Sequence, residues 1–234
     1  MPDWVYEGGT AKEKKRLGDP LCRERIIKEM EQEGVSKEFW GTIMISSVFN
    51  KDKRSYEGKT IAEISTTLKV PPLEFVLDLL YEEDCRVSVI FFNMSEENLA
   101  RILKWDFVMV GSDSSLRSLK GVLNYGKPHP RGYGTFSRVI RKYVNQTSIL
   151  SIEDAIYKMT GFPAQKLGLE DRGILKEGFF ADITIFDQET IAEQATFTDP
   201  HNYSIGIKHV IVNGKLTINN GKHKSVMNGA ILRK

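Results

Sequence analysis

The chain has 234 residues, of which 41% are hydrophobic and 27% charged, with 33 basic side chains against 31 acidic ones for a net charge of +2. That length allows one large domain, or a medium domain with a small appendage, and enough apolar residues to bury a core. The charge is too evenly balanced to give the one-signed field that binding to nucleic acid or a membrane surface needs, so neither partner is expected. Cys22 and Cys85 are the only cysteines, which excludes a disulfide framework and a thiolate zinc site. The N-terminal stretch lacks a basic region followed by an apolar one, and the longest apolar runs are strand-sized, so the expected location is the cytoplasm.

Residues 10 to 34 carry Leu17, Leu21, Ile26, Ile27 and Met30 at roughly helical spacing, interrupted by Gly18-Asp19-Pro20, which predicts two short amphipathic helices. Thr42 to Val48 is β-branched and apolar on both faces, as in a parallel-sheet strand buried between layers. Thr60 and Glu63 have capping-box spacing and open a short helix. Pro71 and Pro72 open another, with Leu73, Val76, Leu77 and Leu80 on one face. Arg86 to Phe92 reads as a second buried strand, Ser95 as the cap of a helix from Asn98 to Trp105, and Phe107 to Asp113 as a third strand. Strands alternating with helices predict a parallel α/β sheet with right-handed crossovers.

Residues 114 to 135 form a long loop rich in Gly, Pro, Ser and Lys, and loops of that length in compact domains are usually functional or mobile. Helices are predicted at about Ser137 to Asn145 and from the Ser151 cap to about Leu167. Beyond Gly173 the pattern changes to short β-like runs at 181–186, 209–212 and 216–218, separated by Asp187-Gln188, Asn213-Gly214 and Asn219-Asn220-Gly221, which is hairpin chemistry. A domain boundary is expected near 170, dividing the chain into 1–170 and 171–234.

One residue stands out for chemistry. Asp113 ends a predicted strand, is reached through Gly111 and precedes the long loop, and in α/β folds ligands bind at that edge. An acid–base role and a turn cap made through its own backbone both fit this placement.

Taken together, Val108-Met-Val-Gly-Ser-Asp113, Gly126-Lys-Pro-His-Pro-Arg-Gly-Tyr-Gly-Thr-Phe136, Met159-Thr-Gly-Phe-Pro-Ala164, Arg172 to Asp182 with Asp187, and His209-Val-Ile-Val-Asn-Gly214 closely resemble the N-acyl-D-amino-acid deacylases of the amidohydrolase superfamily. The likeness extends back through Val87 to Arg101 as far as Trp4 to Gly9. It implies the C-terminal part of an eight-stranded α/β barrel of the TIM type plus part of a small β-sandwich. The implied activity is hydrolysis of the amide bond of a small N-acyl-D-amino acid.

On this resemblance Asp113 is the general base that moves a proton from attacking water to the leaving amine. Arg131 matches a position whose guanidinium meets a substrate carboxylate, a role to weigh against contacts with loop carbonyls. Ser112 and His129 are placed beside the substrate. His201, His209 and His223 are read as surface or packing residues, and Tyr133 and Phe136 fit a cleft lining or a helix core.

The His-x-His pair and the further metal ligands of the family have no counterpart here. Zinc is therefore implied for the complete enzyme, and none for this chain alone. The resemblance also implies a complementary chain with the N-terminal barrel half, or self-association, because a barrel cut to fewer than half its strands exposes unpaired edges. A non-catalytic remnant or interaction subunit that keeps the fold is the alternative.

Overall fold

The computed structural model describes residues 1–232. They form a mixed α/β structure in two compact units, Met1–Asn93 with Asn124–His129, and Met94–Leu123 with Pro130–Lys234.

In the first unit, helix α1 (Thr10–Gly18) stops where Asp19 turns extended, and the Asp19 carboxylate accepts the Cys22 amide at 2.8 Å to start α2 (Pro20–Gln32). Proline at the first helical position loses nothing there, since its missing N–H would have had no helical partner. A short α3 (Lys37–Gly41) leads into strand β1 (Ile43–Ser47). The Thr60/Glu63 box forms as predicted and opens α4 (Ile61–Leu68), while Pro72 opens α5 (Pro72–Glu82). Leu17, Ile26, Ile45, Leu77, Ile61, Ile64 and Phe75 close the core between these elements.

Strand β1 is buried as expected, but its partner β2 (Ser88–Phe91) runs antiparallel, with Ile43 opposite Phe91 and Ile45 opposite Val89. The expected parallel pairing is thus corrected for this sheet. The other edge of β1 is also taken: the Ile45 amide donates to Lys59 O at 3.0 Å and the Gly58 amide to Ile45 O at 2.8 Å. Both edges of β1 are then occupied, leaving no room for a parallel neighbour. Burial on both faces also fails for β2, where only Ile90 is buried and Phe91 is 50% exposed. The third expected strand, Phe107 to Asp113, does not form.

Glu83, at the end of α5, is fully buried, and its Oε2 accepts the amides of Phe49 (2.6 Å) and Asn50 (2.9 Å) just beyond β1. Lys53 Nζ stands 3.8 Å from the other oxygen.

The second unit opens on α6 (Glu96–Leu103), capped by the Ser95 hydroxyl, which accepts the Asn98 amide. Helix α7 (Arg131–Arg138) begins six residues before the predicted start and continues as a π-helix, Val139–Gln146. Gly132 and Gly134 argue locally against a helix, and packing described below overrides them. Helix α8 (Ile152–Met159) has the predicted Ser151 cap, but Thr160 breaks the run and α9 (Gly161–Leu167) follows. Leu103, Val139, Tyr143, Val144, Leu150 and Ala155 form the core of these helices.

A four-stranded antiparallel sheet, β3 (Ile183–Phe186), β4 (Ile207–Val212), β5 (Lys215–Asn219) and β6 (Lys222–His223), completes the unit in chain order. Val212 pairs with Lys215 and Asn219 with Lys222 across two-residue loops. Both loop residues have positive φ in each case, Asn213 with Gly214 and Asn220 with Gly221, the type I′ geometry whose twist suits a hairpin. Among the described residues no helix is long and apolar enough to cross a membrane.

Replacing Glu83 with Ala should lower the unfolding free energy by about 3 kcal/mol, because two amides lose a charged acceptor away from water. Glu83→Gln, which keeps one acceptor oxygen, should lose less. Urea titration checks both, and an alanine loss under about 1 kcal/mol would mean that water reaches the two amides.

Candidate functional site

Asp113 lies in an irregular stretch that follows α6. Its φ of 45° is left-handed, a conformation that aspartate tolerates better than most side chains. The carboxylate is 92% exposed, and its Oδ2 lies 3.1 Å from Arg131 Nη2. Arg131 is the first residue of α7, so the structure joins the end of the predicted strand to the start of the helix after the loop. The approach is close: a Cβ built on Gly132 would stand 2.8 Å from Ser114 Oγ, in the turn just after Asp113. Ser112 is half-buried beside Asp113, and His129, also half-buried, belongs to the first unit.

Helix α7 is held from its other side by residues 193 to 204. A Cβ on Gly134 would meet Glu193 Cβ at 2.6 Å, so only glycine allows this contact. Ser137 Oγ is 2.5 Å from Ser204 Oγ. Tyr133 Oη donates to Ser118 O at 2.9 Å and lies 2.9 Å from His201 Nδ1. A phenol has one proton, so with Ser118 accepting it the imidazole Nδ1 must be the donor to the phenol oxygen. Burial, with Tyr203 nearby, raises the Tyr133 pKa above its ordinary value. Phe136, by contrast, is 49% exposed.

Glu193 receives Arg141 Nε at 2.7 Å and Arg138 Nη1 at 3.2 Å. Its burial works against ionisation, yet the hydrogen bond and charge of Arg141 hold its pKa below the usual carboxylate range. Glu96 of α6 is bonded to Tyr143 and Lys142 of the π-helical stretch, and burial followed by the Glu96 bond pushes the Tyr143 hydroxyl up to about 12.

In the stretch before Asp113, Trp105 O (2.5 Å) and Val108 O (3.2 Å) accept from Nζ of the buried Lys158 of α8. Sequence reading missed Lys158 and Glu193. The available signal for Lys158 was a charged residue one turn after the buried Ala155 on the inner face of α8. His201, read as a surface or packing residue, packs edge-on against Tyr133. His209 pairs within β4, and His223 Nδ1 accepts the Ser225 amide. Among the described residues no three His, Cys, Asp or Glu side chains gather closely enough to hold a metal ion.

An amidohydrolase family model matches residues 121–218, a stretch that includes Arg131, Glu193 and His201. The chain is 42% identical over 130 residues to the N-acyl-D-glutamate deacylase of Alcaligenes xylosoxydans xylosoxydans, a match covering 56% of this chain and 25% of that protein. A solved D-aminoacylase with a binuclear metal centre superposes with a TM-score of 0.71 at 31% identity, over 84% of this chain and 38% of the other. The N-acyl-D-glutamate deacylase of Bordetella bronchiseptica, complexed with zinc and a phosphonate inhibitor, gives a TM-score of 0.66 at 29% identity, over 82% and 39%. The chain thus matches about a quarter of the length of its curated relative and under two-fifths of the solved ones.

The lowered Glu193 pKa makes a signed prediction. A carboxyl depressed in the folded state contributes stability above its unfolded pKa, and that contribution is lost as pH falls through the folded value. Glu193→Gln should therefore be less stable than the native chain at pH 7, and the gap should narrow on acidification below the ordinary Glu value of about 4.3. Urea midpoints measured from pH 7 down to about 3 test this, and a gap independent of pH would remove the ion pair from the account.

Proposed function

We propose, from a chain homologous to part of the N-acyl-D-amino-acid deacylases of the amidohydrolase superfamily, that it is the C-terminal portion of such an enzyme. Its reaction is hydrolysis of the amide bond of an N-acyl-D-amino acid or a related C–N bond. Residues 1–170 are assigned to the barrel and 171–234 to the small β-sandwich, and the assembly works in the cytoplasm. One observation carries the assignment of roles: Arg131, inside the stretch matched by the family model, meets Asp113 at 3.1 Å.

In this reading Asp113 accepts a proton from water as the water oxygen bonds to the acyl carbon. It then returns that proton to the nitrogen as the C–N bond breaks, ending as the carboxylate it began. High exposure gives water direct access to it. Arg131 binds the substrate carboxylate through its planar fork of donors, with Ser112 and His129 alongside. Zinc in the complete enzyme lowers the pKa of bound water. The donor set among the described residues does not fit that ion, so no step here runs through it, and its ligands are assigned to a complementary chain that carries the N-terminal barrel half. The other reading, a non-catalytic chain that keeps the fold, draws on the 92% exposure of Asp113, since an acid–base group usually sits in a cleft.

Asp113→Asn, in an enzyme reconstituted with the metal-binding chain, should keep association and metal content while lowering kcat by about 10² to 10⁴-fold. Loss of stability with turnover intact would reduce Asp113 to a turn residue. Arg131→Lys should weaken kcat/KM far more for substrates with a free carboxylate than for neutral amides, because an ammonium cannot reproduce the bidentate contact. Steady-state kinetics on matched substrate pairs decides, and equal losses on both would remove the role.

A further inference from the structure

We propose that Lys158 is a positioning residue for Asp113: it clamps the backbone of residues 105 to 110 onto helix α8 and so sets where the following residues carry the carboxylate. The clamp itself rests on geometry alone. Its consequence for catalysis rests on the proposed role of Asp113.

Residues 107 to 113 have the composition of a strand but form none, so their backbone groups need other partners. Three bonds run from residues 105 to 110 to one residue. Lys158 Nζ donates to Trp105 O at 2.5 Å and to Val108 O at 3.2 Å, and Lys158 O accepts the Val110 amide at 3.1 Å. Lysine is almost never fully buried without such partners, yet Lys158 is only 5% exposed. Its side-chain partners are both carbonyls, the pattern of a tether for main chain rather than of an ion pair.

The base of the clamp is firm. Helix α8 is capped by Ser151, whose hydroxyl accepts the Asp154 amide at 3.0 Å, and Ala155 and Met159 anchor it in the helical core. Beyond the last tether at Val110 only Gly111 and Ser112 precede Asp113. At about 3.3 to 3.6 Å per extended residue, that short span limits how far the carboxylate strays while the clamp holds. Without the two side-chain bonds, only the main-chain bond from Val110 to Lys158 O ties α8 to the run between the end of α6 at Leu103 and Asp113.

Hydrogen exchange on the full 234-residue chain tests the clamp without reference to activity. In Lys158→Met, which keeps the volume and removes the donors, the Val110 amide should exchange at least about tenfold faster. Amides in the hairpin of β4 and β5, such as Val210 and Ile218, should keep their rates. Unchanged exchange at Val110 overturns the clamp, and so does equal acceleration everywhere, which would mark Lys158 as an ordinary stability residue.

A second variant covers the case in which methionine prevents folding. Lys158→Cys, alkylated in denaturant with bromoethylamine and refolded, rebuilds an amine of nearly lysine's length. Measured against the native chain alkylated the same way at Cys22 and Cys85, it should restore slow exchange at Val110, and failure to restore it overturns the proposal.

In the reconstituted deacylase, Lys158→Met should lower kcat about tenfold and leave KM within about twofold, with no further loss on an Asp113→Asn background. Fully additive losses would overturn the route through Asp113. If Asp113→Asn is itself silent, the general-base reading fails, while the exchange measurement still decides the clamp.

Discussion

A backbone amide or carbonyl withdrawn from water has to find a partner, and at three places among the described residues, of several, a side chain supplies it in a way that sets the path of the main chain. Glu83 takes the amides of Phe49 and Asn50 at the exit of β1. The Ser46 hydroxyl donates to Lys127 O at 2.9 Å, while the Lys127 amide returns to Ser46 O, tying the stretch 124–129 to β1. Lys158 takes the carbonyls of Trp105 and Val108. Two of the three use a charged group with almost no exposure, so each local path of the main chain depends on a side chain that water cannot easily replace.

The two charged residues assigned to chemistry are exposed, and those that hold their segments in place are not. Asp113 and Arg131 face solvent, whereas Gly134 and Ser137 on α7 and Lys158 on α8 are buried. An exposed ion pair by itself contributes about 0 to 1 kcal/mol, too little to order a loop. The approach of Arg131 to Asp113 therefore follows from two separate anchors, α7 fastened to residues 193–204 and the 105–110 backbone fastened to α8. Rigid support beneath a polar pair is what a site needs when its groups must stay within reach of one another.

Each unit also leaves large apolar side chains in water. In the first these include Phe91 and Phe92 near β2, and in the second Trp105 and Phe107 between α6 and Asp113. Aromatic exposure concentrated on strand-like segments marks surface that another polypeptide covers.

Local structure was legible wherever a short-range rule decides it. The Thr60, Ser95 and Ser151 caps, the proline start of α5 and the two asparagine–glycine turns all form where residue chemistry within four positions requires them. Asp113 and Arg131 were legible as separate residues, and so was the family resemblance, because both reside in residue identity and order. What depends on partners far along the chain was not. That β1 takes no parallel neighbour follows from β2 holding one of its edges and Lys59 with Gly58 the other. The early start of α7 follows from Glu193 and Ser204, more than fifty residues away, packing against Gly134 and Ser137, and from Ser114 packing against Gly132. The stretch 107–113 has the composition of a strand, but composition supplies no neighbour, and in the folded chain its hydrogen bonds go to α8. Sequence determined which segments are able to become helix, strand or turn. Tertiary packing decided which strand-like segments found an edge to pair with, since a helix satisfies its own backbone and a strand depends on another.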